Sequence, residues 1–312
     1  MYYNKNKLNQ HKNIGSILIF ILIIISASVF FVLTMYLITY SSFKVQLSAL
    51  EYSRLCVLAH ENMWQAIKKV SEDKEITFDH TNELWAQAIT NYYADGTKVL
   101  VYTIDENRFF DINNLASTIQ NTNVPSPLTI LYKTISLTET KIPSEKLDFL
   151  CEYITTNHNK FGSFYSSYLN TNILAYHAPL ICTLEMKAIL SEKNSKDFPL
   201  NNLITILPKN SDKITKVNIN TAHENLLIAI LGNEAQDNIK EICLKRNIKP
   251  ITSISQEIKS EFLNTAMTYL DTKSEWFSIF VTAEKDTKLA TIYALIYRDK
   301  TGKITISRWL EK

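Results

Sequence analysis

The stretch from Gly15 to Phe43 constrains this chain more than any other. From Ser16 to Phe43 it holds no Asp, Glu, Lys, Arg or Pro over 28 residues. About 20 apolar residues span a bilayer as a helix, so the run is long enough for a membrane anchor. Lys5, Lys7 and Lys12 precede it with no acid among them, while Lys44 beyond it is soon joined by Glu51 and Arg54. Basic residues on the short flank hold that flank in the cytoplasm. The expectation is a single-pass segment over 16–43, with the N-terminus cytoplasmic and everything from Lys44 outward in the periplasm. A secretory signal peptide has a shorter apolar core of about 7–15 residues. Only Ser26-Ala27-Ser28 resembles the small-residue cleavage site such a peptide needs.

Of the 312 residues, about 270 lie beyond the anchor, enough for one or two domains with their own cores. Hydrophobic content of 46% and charged content of 21% fit a globular protein carrying one anchor. A net charge of +2 gives no polyanion signal. Cys56, Cys151, Cys182 and Cys243 all fall on the outer side, where disulfides form. None makes a CxxC or a zinc spacing. A Cys151–Cys182 pair and free thiols are both compatible with the sequence.

Past the anchor the helix should continue. No Pro occurs before Pro125, and no Gly between Gly15 and Gly96. Ala49, Tyr52, Cys56, Ala59, Met63, Ala66 and Val70 recur at spacings of 3 and 4, one face of an amphipathic helix. A helix over 16–70 would be roughly 80 Å long. Asp79–Thr90 reads as a short helix capped by Asp79, Lys98–Ile104 as a strand by its β-branched content, and Asp105–Asn107 as a turn. From 117 to 271 all seven prolines appear. Short helices are expected between them at 144–157, 164–170, 180–192, 200–207, 221–231, 235–246 and 254–268. From Ser274 the period becomes 2, predicting strands over 274–283, 289–298 and 303–310 joined by tight turns. A three-stranded meander needs a cover for its apolar face, and the striped N-terminal helix is the candidate. The fold class is therefore α+β: a long N-terminal helix on a small antiparallel sheet, built from 44–116 plus 272–312, with a large all-helical domain inserted over 117–271.

Chemistry-bearing patterns are sparse. Val217-Asn218-Ile219-Asn220-Thr221-Ala222, then Leu226, Leu227, Ile230, Leu231 and Gly232, then Ile239 and Ile242, resembles half of a helix-hairpin-helix, with Thr221 as a helix cap. Such hairpins can present backbone amides to a phosphate. Here the hairpin has one Gly, and Glu234 stands where an anion would approach. Lys240, Lys245 and Arg246 are balanced by Glu234, Asp237 and Glu241, so protein packing is favoured over nucleic acid. The histidines His11, His60, His80, His158, His177 and His223 show no metal spacing. Cys182 and His177 form a nucleophile–base pair on paper only, with Pro179 between them. No catalytic residue and no metal site is assigned.

Taken together the blocks resemble one family, the minor pseudopilin K family of the type II secretion system (GspK-like, general secretion pathway protein K). Gly15 before the apolar run looks like its prepilin peptidase site, with cleavage between Gly15 and Ser16 and residues 1–15 as leader. Asp79–Trp85 looks like its D-x-L-x-x-W segment, Asp105–Leu115 like D-E-x-G-R-F-N-L-N-x-L, and 176–186 like N-x-P-L…S-E-L. Val217–Ala222 is the family's most recognisable string, and Ser274 and Phe277 fit its S-x-x-F pattern.

The resemblance implies a pilin-type helix on a small sheet with a helical insertion, and a non-enzymatic role at the pseudopilus tip that helps start assembly. The partners it implies are the I and J minor pseudopilins, the major pseudopilin, prepilin peptidase and the inner-membrane assembly platform. Phe20 would be fifth after cleavage, where most pilins carry a Glu that pairs with the terminal amine of the subunit ahead. A tip subunit has none ahead, and a buried carboxylate without a partner is costly. The 155 residues of 117–271 would also block stacking above. Family members can bind calcium in the helical domain, but across Glu152–Asn159 only Glu152 is acidic. Hard cations need several oxygens, so no cofactor is expected. The alternative reading is a membrane-anchored helix-hairpin-helix protein of a DNA-uptake system.

Overall fold

The computed structural model describes residues 5–73, 75–117, 119, 121–138, 142–155, 178–182, 185–186, 189, 203–208 and 213–312, with side chains from 17 onward. These residues form two compact units, Met1–Val57 and Leu58–Lys312.

One helix, α1 (Lys5–Ser71), supplies all of the first unit that is described and the opening turns of the second. Its segment from Ile17 on is long and apolar enough to cross a membrane. Side chains in the run have little protein around them: Phe20 is 67% exposed and Phe30 71%. In lipid every polar group must be satisfied internally. The hydroxyls of Ser26, Ser28, Thr34 and Thr39 each donate to the carbonyl four residues back, at 2.7–2.8 Å. At the outer end Tyr36 stacks on Tyr40, and the Lys44 ammonium lies 4.7 Å from the Tyr40 ring centroid. Aromatic and basic side chains are what an interface selects.

The second unit is built on a five-stranded antiparallel sheet. Its strands are β1 (Ile89–Tyr92), β2 (Lys98–Asp105), β7 (Trp276–Lys285), β8 (Lys288–Arg298) and β9 (Ile304–Glu311), paired in that order. The strands nearest the chain's end thus pair with those after the helix. Cross-strand partners Ile89, Val101, Val281 and Ile292 share one face with Thr103, Ile279, Ala294 and Trp309. Turns of α1 from Leu58 onward lie on that face. Trp309 contacts the rings of His60 and Trp64. Asn62, itself buried, donates to the Tyr93 hydroxyl and accepts from Asn91. Ala59, Met63, Ala66 and Val70 are buried at the expected helical spacing.

Between β2 and β7 the chain builds the insertion. It holds α2 (Pro127–Ser136), α3 (Ser144–Ile154), α4 (Glu224–Leu231), α5 (Gln236–Ile248), α6 (Ile254–Glu257) and α7 (Leu263–Tyr269). Their apolar faces close around Leu131, Leu150, Ile154, Leu227 and Ile239, joined by Phe110 and Ile112 from just after β2.

Four expectations are corrected. Residues 79–90 form turns and then β1, not a helix, because Asp79 is drawn into a buried ion pair instead of capping. Within 200–207 the described part is a strand, β4 (Ile204–Thr205), paired in parallel with β3 (Phe110–Asp111). The insertion is not all-helical, since β5 (Val217–Asn218) also pairs in parallel with β6 (Leu270–Asp271). These two-residue bridges are too short to show a period. The 254–268 helix is broken into α6, a 3-10 turn at Ser260–Phe262 and α7. Helix α2 was not expected; Ser126 caps it, accepting from the Thr129 amide, with Pro127 at the first helical position. The helix expected at 164–170 lies outside the described residues.

Candidate functional site

The sheet and the insertion meet along a buried polar seam, and most of the sequence blocks singled out above converge there. The 3-10 turn Glu106–Arg108 and the following Ile112–Ala116 turn begin it; each is capped by an aspartate, Asp105 or Asp111, that accepts from the amide two residues on. An asparagine side chain carries a donor and an acceptor like a peptide group, so it can pair with a passing strand on both counts. Asn107 donates to the Lys216 carbonyl and accepts from the Glu275 and Trp276 amides. Asn113 bridges Leu180 and Leu207, and Asn114 bridges both backbone groups of Thr215. Asn220 does the same for Ile251 and reaches the Thr272 carbonyl. The asparagines therefore replace sheet pairing where segments cross without forming strands.

At the centre Asn218 donates to the Asp79 carbonyl, the Asp105 carboxylate and the Ser274 hydroxyl. Thr221 is not the helix cap. Its hydroxyl donates to Asp105 at 2.5 Å, and His223 caps α4 by accepting from the Asn225 amide. Arg298, at the end of β8 and 2% exposed, contacts both Asp79 oxygens at 2.5 and 2.6 Å and Asp73 at 3.0 Å. Its guanidinium also lies 4.8 Å from the Phe277 ring centroid. Trp85 packs edge-on against that ring and donates its indole N–H to Glu83. His80 donates from Nε2 to the Arg246 carbonyl and accepts at Nδ1 from the Asn82 amide, which defines a neutral imidazole.

Burial dominates the electrostatics here. It raises the Asp79 carboxyl to about 7 against the pull of Arg298. Burial, opposed by the Trp85 bond and reinforced by the charges of Asp73 and Asp79, raises Glu83 to about 8. Burial pushes Asp105 and Glu106 upward too, while the hydroxyls of Thr221 and Ser278 respectively hold them back. Oxygens of Asp73, Asp79 and Glu83 all lie within 4.8 Å of one another. The guanidinium of Arg298 already supplies the cation for that group.

The remaining candidates fare differently. Gly15 and Ser16 fall within α1, but their side chains are outside the described set. Phe20 lies on the exposed apolar run of that helix. His158 and His177 lie outside the described residues, and Cys182 is half-buried. The 217–246 hairpin exists, and Gly232 has φ 97°, as its turn requires. The Gly232 and Ala235 amides are spent on the Ile228 and Gly232 carbonyls. Lys245 is held by Glu241 and Glu257, and Arg246 points inward to the Ile219 carbonyl. The segment packs as a structural hairpin. Glu152 sits on α3 with its Oε2 buried and no hydrogen-bond partner among the described residues. Residues 156–159, which follow it, are outside that set.

No protein-family model matches the chain, and no curated protein matches it. A solved structure does: a chain of the crystal structure of the GspK-GspI-GspJ complex from the enterotoxigenic Escherichia coli type 2 secretion system. The alignment covers 85% of this chain and 98% of that chain, with a TM-score of 0.61 and 18% sequence identity. At that identity the likeness establishes the fold, a pilin-like long helix and antiparallel sheet carrying an inserted helical domain.

Proposed function

We propose that the chain is a K-type minor pseudopilin of a type II secretion system. It would be anchored by one span in the inner membrane with its bulk in the periplasm, and would act without catalysis at the tip of the pseudopilus to help start assembly. The observation that supports this reading most is the combination of one exposed apolar helix with a pilin-like body whose fold extends over 98% of a chain from the GspK-GspI-GspJ complex. The I and J minor pseudopilins are then its immediate partners, with the major pseudopilin below and the assembly platform in the membrane. The seam supports the same reading. Its carboxylates are committed to asparagine, hydroxyl and guanidinium partners, as in a joint that sets the insertion rigidly on the sheet. No cofactor is assigned, since Glu152 is the one carboxylate across 152–159.

Prepilin peptidase should cut between Gly15 and Ser16. Co-expression with the peptidase should shorten the chain by the 15 residues of the leader, read by intact mass, and Gly15→Ala should abolish the change. An unshortened wild-type chain in the presence of active peptidase would sink the reading.

A further inference from the structure

The cluster around Arg298 has a charge problem that its geometry resolves in one way. Asp73, Asp79 and Glu83 crowd within 4.8 Å, and Arg298 is the cation that touches them, with 1% of its side chain exposed. Asp105 adds a further negative charge from the end of β2. His80, on the same loop, is neutral because both of its nitrogens are engaged as described. Glu83 and Asp73 share a side-chain hydrogen bond. Two ionised carboxylates are acceptors only, so that bond requires a proton between them. Both Glu83 oxygens also accept N–H bonds, from the His80 amide at 2.7 Å and from Trp85 at 2.6 Å. The shared proton therefore closes a loop that runs from the end of α1 through Trp85 to Phe277 on the sheet.

We propose that Asp73, Asp79, Glu83 and Arg298 form a proton-dependent latch that fastens the 73–85 loop to the end of the sheet, closed while Glu83 keeps its proton and loosened when it is lost. The loop also carries the insertion, because the Asp79 carbonyl accepts from Asn218 and the Asp79 amide donates to the Thr272 carbonyl. Loosening the loop thus loosens the joint. The sign follows from linkage: the folded chain holds a proton that the unfolded chain has already released above the ordinary glutamate range, so stability falls as pH rises towards about 8. This inference does not depend on the pseudopilin reading.

The test is equilibrium denaturant unfolding of the full chain in detergent micelles between pH 6 and 8, followed by tryptophan fluorescence. One retained proton makes the unfolding constant rise roughly tenfold per pH unit. Glu83→Gln, which keeps the shape and can donate to Asp73, should lower that slope by about tenfold per unit. Parallel wild-type and Glu83→Gln profiles would overturn the latch. Hydrogen exchange of the 75–86 amides in the wild-type chain, corrected for intrinsic rates, gives a readout that needs no variant. It should accelerate from pH 6 to 8, and unchanged protection would also overturn the proposal.

Discussion

At the scale of single residues, Arg298 matters most. A guanidinium offers a planar fork of donors, and here it serves Asp79 and Asp73 together while lying beside Phe277. Removing one partner of a buried ion pair leaves the others charged and unsatisfied, at a cost of about 3–5 kcal/mol. Arg298→Met should therefore destabilise the full chain by that amount in denaturant titrations. Arg298→Lys should recover only part of it, because one ammonium cannot fork to both carboxylates. This site was hidden in the sequence. Asp79 sits 219 positions from its partner, and an isolated aspartate ahead of an apolar run has the appearance of a helix cap. Asn107, Asn113, Asn218 and Asn220 were visible as repeated strings, but nothing local says what an asparagine bridges. Their roles come from which backbones the fold brings past them.

At the scale of elements, periodicity carried much further. The alternation in 276–311 predicted the meander, and the 3–4 spacing of Ala59, Met63, Ala66 and Val70 predicted the face that covers it. Strand β1 was lost because its four residues follow turns rich in helix-forming types. The β3–β4 and β5–β6 bridges are fixed by crossing segments and leave no pattern of their own. The turns are the sharpest place to test this layer. Gly302 joins β8 to β9 with φ 82°, and a Cβ there would meet the Ile76 side chain at 3.2 Å; Gly96 has φ 84° with nothing within 4 Å. A left-handed conformation costs an ordinary residue about 1–2 kcal/mol. Gly96→Ala should lose only that, while Gly302→Ala should lose more, because Ile76 must also give way. Thermal unfolding of the two variants side by side checks the order; equal losses would mean the Ile76 contact yields freely.

At the scale of the whole molecule, the argument turns on Phe20 and on what lies ahead of it. A carboxylate at the fifth mature position is tolerated within a filament because the next subunit offers its terminal amine. Without that amine the charge sits uncompensated among apolar helices or lipid tails, where polar groups cost several kcal/mol. The apolar run of this chain is acid-free from Ser16 to Phe43, which suits a subunit with no neighbour in front. Phe20→Glu should therefore reduce recovery of the chain in complexes with the I and J minor pseudopilins by several-fold, while Phe20→Leu, which keeps the position apolar, should assemble as the wild type does. Leader cleavage should persist in both, because the cut lies before Ser16. Affinity co-purification from membranes, normalised to processed chain, separates assembly from processing. If Phe20→Glu instead assembled better than the wild type, an amine would have to lie ahead of the chain, and its place would be within the filament and not at its end.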